Sequence, residues 1–214
     1  MSQEPISRLD LPYQNLILTG FVGVGKTTVG KAIADKLEVD FMDVDEEIVR
    51  REGMSIRQIR QEFGDARLKI LEADVCRESA FRRQAVIVVS GAALLDQRNA
   101  DLLGGTGQVA CLTCEMGEAL RRLHMAYEET FRDPKERQHL LSRLRREYGI
   151  VDDERHVQID TTHLTIEEVV DELVHLWQYG EPMTASVTAT PSRRLRETED
   201  SFPKRTEVSR RHPD

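Results

Sequence analysis

The chain has 214 residues, which is room for one α/β domain with tails but not for two full domains. A formal net charge of −8 disfavours a general nucleic-acid binder, since such domains carry a basic surface, while a local cluster of Arg and Lys can still hold a small anion. Hydrophobic residues make up 39%, enough for a core if the polar residues concentrate on helix faces and in tails, and no apolar stretch approaches the length of a membrane span.

Taken in chain order, residues 1–14 are polar and read as a short tail. The opening MSQEPISRLDLPYQN has neither the basic start nor the apolar core of a signal peptide, so a cytoplasmic location is expected. Asn15–Thr19 is a short apolar run entering a glycine-rich turn, the pattern of a buried strand. Lys26–Leu37 follows with Val29, Ile33 and Leu37 on one helical face. Val39–Val44 reads as a second strand. Ser55, with Gln58 three residues on, forms a capping box, and Ile56, Ile59 and Phe63 then face one way. Arg67–Phe81 continues as helix, with Leu68, Leu71 and Val75 as its core stripe.

Val86–Val89 is the most apolar strand, flanked by neither charge nor alternation, and is expected at the centre of the sheet. Asp96–Leu103 reads as helix and stops at Gly104-Gly105; Gln108–Leu112 is a strand and Met116–His124 a helix. Val157–Asp160 is the last strand and Ile166–Trp177 the closing helix, with Val169, Val170, Leu173 and Leu176 on one side. Residues 180–214 place Gly180, Pro182, Pro191, Pro203 and Pro213 among Ser, Thr, Arg and Glu, so they cannot bury enough surface to offset chain entropy and predict a disordered polar tail. The alternation over residues 15–179 predicts a single α/β domain, a central parallel sheet flanked by helices.

The sharpest chemical signal is Gly20-Phe21-Val22-Gly23-Val24-Gly25-Lys26-Thr27, which fits the phosphate-loop pattern G-x-x-x-x-G-K-[ST]. Glycines let backbone N–H groups turn inward as a nest for phosphates, and the following helix adds its positive end. In that arrangement Lys26 bridges the β- and γ-phosphates and the Thr27 hydroxyl ligates magnesium. An apolar strand stopping at Gly20 and an amphipathic helix starting near Lys26 give the motif its required context. Other chemistries lack a signature: there is no HExxH or GxSxG. Cys111 and Cys114 form one CxxC without a second pair, and three cysteines read as plain buried thiols in a reducing compartment.

Beyond the loop, the order of landmarks from about Asn15 to Trp177 resembles the shikimate kinase family, most closely up to Gly107. The loop matches GxxGxGK[ST]T over Gly20 to Thr28, Asp43-Val44-Asp45 matches an Asp-x-Asp at the second strand's end, and Gly53-Met54-Ser55-Ile56 matches letter for letter. The resemblance implies a three-layer P-loop kinase fold, ATP and Mg²⁺, a small hydroxy-acid acceptor, and a monomer. Gly23, Val24, Gly25, Lys26, Thr27 and Thr28 would bind the nucleotide, and Asp43 would join Thr27 at the metal. Asp45 would hold the acceptor hydroxyls and take the proton, making Lys26 and Asp45 the catalytic pair.

The resemblance has departures. Lys69 stands where the family has an arginine that forks onto the acceptor carboxylate, so the charge remains but the planar bidentate grip is lost. Arg67 lies two residues away, on another face of the helix. A triple glycine becomes Ser90-Gly91-Ala92, leaving Gly91 as the close-approach position; Ser90 is either a contact to the acceptor or to metal-bound water, or a plain turn serine. In the lid, Arg132 is the best substitute for the family's nucleotide-covering arginine, with Arg121 and Arg122 as alternatives. Further on, Arg146 is favoured over Arg145 as the second acceptor arginine, against the plain reading of an amphipathic helix with solvated arginines. The leading expectation is ATP-dependent phosphorylation of shikimate. A related kinase for another small hydroxyl acceptor, or a nucleotide binder that turns over slowly, are the alternatives.

Overall fold

β1 (Asn15–Gly20) is buried at all six positions, as an apolar strand covered on both faces must be. A computed structural model describes residues 11–12, 14–128 and 132–183 of the protein. β1 leads through the glycine loop into α1 (Lys26–Leu37), then β2 (Asp40–Asp43), α2 (Val44–Glu52) and α3 (Ile56–Ser79). There follow β3 (Ala85–Val88), the short α4 (Gly91–Leu94), α5 (Gln97–Gly104), β4 (Gly107–Thr113) and α6 (Met116–Ala126). The chain closes with α7 (Pro134–Tyr148), a 3₁₀ turn over Gly149–Asp152, β5 (Val157–Asp160) and α8 (Ile166–Tyr179).

The five strands pair in the order β2-β3-β1-β4-β5, all parallel. β3 is therefore interior, but the centre belongs to β1, which pairs Leu18 with Val88 on one side and with Ala110 on the other. Strand hydrophobicity reports burial on both faces, which β1 and β3 share, and not rank within the sheet. The chain crosses over β1 in passing from β3 to β4, so the strand order reverses beside the glycine loop. In parallel sheets the crevice at such a switch, outside the carboxyl ends of the strands, is where ligands sit.

Local signals explain most element ends. The capping box of Ser55 and Gln58 opens α3, and a second one, Thr165 with Glu168, opens α8. α2 goes beyond the sequence reading, although its signals were present: Asp43 caps it by accepting from the N–H groups of Asp45 and Glu46, acids fill its first turn, and Arg50 and Arg51 its last. Gly64, at φ 79° and ψ 172°, breaks α3 into two pieces at a backbone conformation that L side chains rarely adopt. Leu11 is buried and Gln14 accepts the indole N–H of Trp177 at 3.1 Å, so this part of the expected N-terminal tail packs on the domain. Gly180 ends α8 in the left-handed conformation; of the expected tail 180–214, residues 184–214 lie outside the described residues. Among the described residues no helix is long and apolar enough to cross a membrane.

Candidate active site

The glycine loop takes the shape that its sequence predicts. Gly20, Gly23 and Gly25 have φ of 132°, 97° and 97°, and a Cβ on Gly20 would lie 2.3 Å from the carbonyl oxygen of Leu112. No side chain caps α1, so its first-turn N–H groups are open to anionic oxygens. Lys26 is almost fully buried; its ammonium donates to the carbonyls of Gly20 at 2.8 Å and Phe21 at 3.0 Å. Burial pushes its pKa down, and the carboxylate of Glu147, 4.0 Å away, opposes that shift.

Thr27 donates its hydroxyl proton to Asp43 Oδ2 at 2.7 Å, while Asp43 Oδ1 caps α2. Burial raises the Asp43 pKa, and the Thr27 hydrogen bond works against it. A hydroxyl and a carboxylate this close beside a phosphate nest are hard oxygen donors of the kind that Mg²⁺ takes alongside phosphate oxygens. Among the described residues no cluster of three or more His, Cys, Asp or Glu could hold a metal by itself.

A cavity of about 1060 Å³ connects these groups. Its walls hold Gly23 through Thr28, Asp43, Asp45, Ser90, Arg122, Arg143 and the segment from Thr161 to Ile166. Beside the phosphate loop, Arg122 donates to Thr161 O at 2.7 Å, to Thr161 Oγ1 at 3.0 Å and to Val24 O at 3.4 Å, tying α6 to the loop and to the end of β5. Arg121 and Arg122 hydrogen-bond Glu118, holding its carboxyl down at about 2. Also on the wall, Arg143 donates through Nη2 to Asp45 Oδ2 at 2.6 Å and through Nε to Glu147 Oε1 at 2.6 Å.

The sequence profile of the shikimate kinase family matches residues 22–178. A shikimate kinase from Thermodesulfovibrio yellowstonii is 33% identical over 165 residues, covering 75% of this chain and 93% of the relative. One from Geobacter sulfurreducens is 35% identical over 162 residues, covering 75% and 88%. The shikimate kinase of Acinetobacter baumannii, solved in complex with shikimate, superposes with a TM-score of 0.63 at 25% identity over 79% of this chain and 95% of that one. That of Bacteroides thetaiotaomicron gives 0.62 at 26% identity, over 76% and 97%. The chain belongs to the shikimate kinase family.

Its P-loop kinase fold and the cavity bring Gly23 to Thr28, Asp43 and Asp45 together. Other residues singled out in the sequence lie off the cavity wall. Lys69 is exposed and off the cavity wall, while Arg67 turns away to Glu52 at 3.3 Å. Arg132 is 73% exposed and pairs with Glu128, four positions back in sequence, whereas Arg122 lies on the cavity wall beside the phosphate loop. Arg146 is exposed on α7; Arg143, one turn earlier, reaches the cavity instead. Counting residues back from Asp160 sets no helical phase, and the phase of α7 turns Arg143 and Glu147 inward together. Gly91 is buried behind the wall, and a Cβ there would meet Glu147 O at 2.6 Å. Ser90 is on the wall and caps α4 by accepting from the N–H of Ala93 at 3.2 Å.

Arg143, on the cavity wall, and Glu147, buried beside Lys26 and Arg143, are the two charged residues at the cavity that sequence reasoning missed. Their only signal is Arg–Glu spacing of four in a helix rich in such residues. The three cysteines are buried, and burial pushes Cys76 and Cys111 up to about 12 and Cys114 up to about 11, the behaviour of inert thiols.

Proposed function

We propose that this chain transfers the γ-phosphoryl group of ATP to a hydroxyl of shikimate, with Mg²⁺ held by Thr27 and, through water, by Asp43. The observation that carries this reading is one cavity whose wall holds both the phosphate loop and the Arg143–Asp45 pair. The loop's N–H groups and Lys26 hold and orient the polyphosphate, and Lys26 stabilises charge on the oxygens around the transferring phosphorus. Asp45 orients the acceptor hydroxyl and takes its proton as the new O–P bond forms and the bond to the ADP oxygen breaks. Bound Mg²⁺ would screen the phosphate charges. Arg143, beside Asp45, supplies positive charge for the acceptor's carboxylate. Arg122 and the Thr161–Leu164 segment line the base side.

The carboxylate fork is where a second acceptor fits, because Lys69 replaces the expected arginine and lies off the cavity wall. A related cyclic hydroxy acid is then the alternative substrate. ADP release measured across a panel of hydroxy acids and nucleotides tests both readings. Release that depends on shikimate supports the first, release with another acid supports the second, and nucleotide binding without acceptor-dependent release overturns both. We further read the enzyme as a cytoplasmic monomer, supported in its reducing location by three buried, unpaired thiols. Light scattering at 24.5 kDa would support the monomer.

A further inference from the structure

We propose that Glu147 is a positioning residue that couples the phosphate-gripping Lys26 to the acceptor-facing Asp45. The inference rests on the kinase reading above. Glu147 is 3% exposed on a helix whose composition is otherwise that of a solvated surface. Its carboxylate is divided between two neighbours. Oε1 accepts from Arg143 Nε at 2.6 Å, and Oε2 lies 4.0 Å from Lys26 Nζ with no hydrogen-bond partner. Arg143 in turn places Nη2 on Asp45 Oδ2 at 2.6 Å. Lys26, Glu147, Arg143 and Asp45 thus form a connected series of alternating charge that links the phosphate loop to the Asp45 carboxylate.

This arrangement is poor for stability alone. A buried carboxylate oxygen without a donor carries an uncompensated desolvation cost, and apolar residues of similar volume often replace buried ion pairs without loss. What the carboxylate provides is geometry. An arginine free to choose presents two N–H groups to a carboxylate and takes both of its oxygens. By holding the Nε edge of Arg143, Glu147 restricts it to one oxygen of Asp45 and leaves Oδ1 for the acceptor hydroxyl. On the other side, Glu147 balances the charge of Lys26 from just beyond hydrogen-bond range, so the ammonium can move onto phosphate oxygens without breaking a direct ion-pair hydrogen bond. The backbone carbonyl of the same residue packs on Gly91, so the position of Glu147 is set by the turn after β3.

The test is Glu147→Gln, which keeps shape and removes charge, assayed for acceptor KM, kcat, Mg-ATP affinity by calorimetry, and melting temperature. Loss of a negative charge beside the phosphates should leave Mg-ATP affinity equal or tighter. Acceptor KM should rise and kcat fall by about tenfold each, the split expected of misplaced Asp45 and Arg143. In an Arg143→Lys background the same change should add less than about threefold, because its effect runs through Arg143. Wild-type kinetics in Glu147→Gln, full additivity with Arg143→Lys, or parallel loss of nucleotide affinity and melting temperature would each overturn the proposal. If Glu147→Gln does not fold, Glu147→Leu is measured with the same criteria. Acceptor-dependent ADP release by the wild type, run alongside, separates failure of this inference from failure of the kinase reading.

Discussion

Arg143 and Asp45 lie 98 positions apart in the chain, yet their side chains meet at 2.6 Å. One comes from the penultimate turns of α7 and the other from the first turn of α2, so their contact depends on both helices meeting beyond the carboxyl ends of the strands. Arg143→Ala removes the cation between Asp45 and Glu147, and kcat/KM for the acceptor should fall on the order of 10²-fold, with a lower melting temperature. Arg146→Ala, on the exposed face, should stay within about twofold. Equal losses in the two variants would restore Arg146 to the site. Steady-state kinetics on the pair decides it.

Gly91 sits where the turn after β3 touches α7. An added Cβ would lie 2.6 Å from Glu147 O, 2.9 Å from Ile150 Cγ2 and 3.2 Å from Gly20 O, and two of these three are backbone atoms that cannot rotate away. Gly91→Ala should destabilise the fold by about 1–3 kcal/mol in urea unfolding and raise the acceptor KM, because the strain is relieved by moving α7. An unchanged unfolding midpoint would mean that α7 yields freely.

Thr27→Val is nearly isosteric and deletes the hydroxyl that reaches Asp43 at 2.7 Å. ATP affinity with magnesium present should weaken by about tenfold or more, and the magnesium concentration for half-maximal turnover should rise. With chelator present the two proteins should bind ATP alike. A loss that persists equally in chelator would assign the hydroxyl to the fold and not to the metal.

Glu72 is buried within the electrostatic reach of Asp45, and burial first, then Asp45, pushes its pKa up to about 7 against Arg60 and Lys69. A carboxyl that is harder to ionise folded than unfolded favours the fold while protonated. Its contribution is therefore full below pH 4.5 and is lost as pH rises to about 7, a change of up to roughly 3 kcal/mol. The unfolding free energy of the wild type minus that of Glu72→Gln should fall over this window. Parallel pH profiles would show that Glu72 ionises freely.

The element most clearly written in the sequence is the unit from β1 to α1. An apolar run, glycines at the turn and helix-spaced Val29, Ile33 and Leu37 are all local, and the structure has them with a shift of one residue at the strand end. The capping box at Ser55 held for the same reason. α2 escaped because its composition is mostly charged, although Asp43 followed by acids and then arginines is a helix opening in its own right. Asp43 and Asp45 reach the cavity wall because they stand next to a strand end, where the topology of parallel sheets puts crevices.

Residues close in sequence thus carried their own instructions: steric limits on φ at the loop glycines, hydrogen-bond caps and apolar periodicity act within a few positions. The place of β1 at the middle of the sheet, the choice of Arg143 over Arg146 and the burial of Glu147 against Lys26 came only with folding. Each depends on how helices turn and dock over a hundred or so residues, and nothing in a helical arginine's immediate neighbours tells which way the packed core will rotate it.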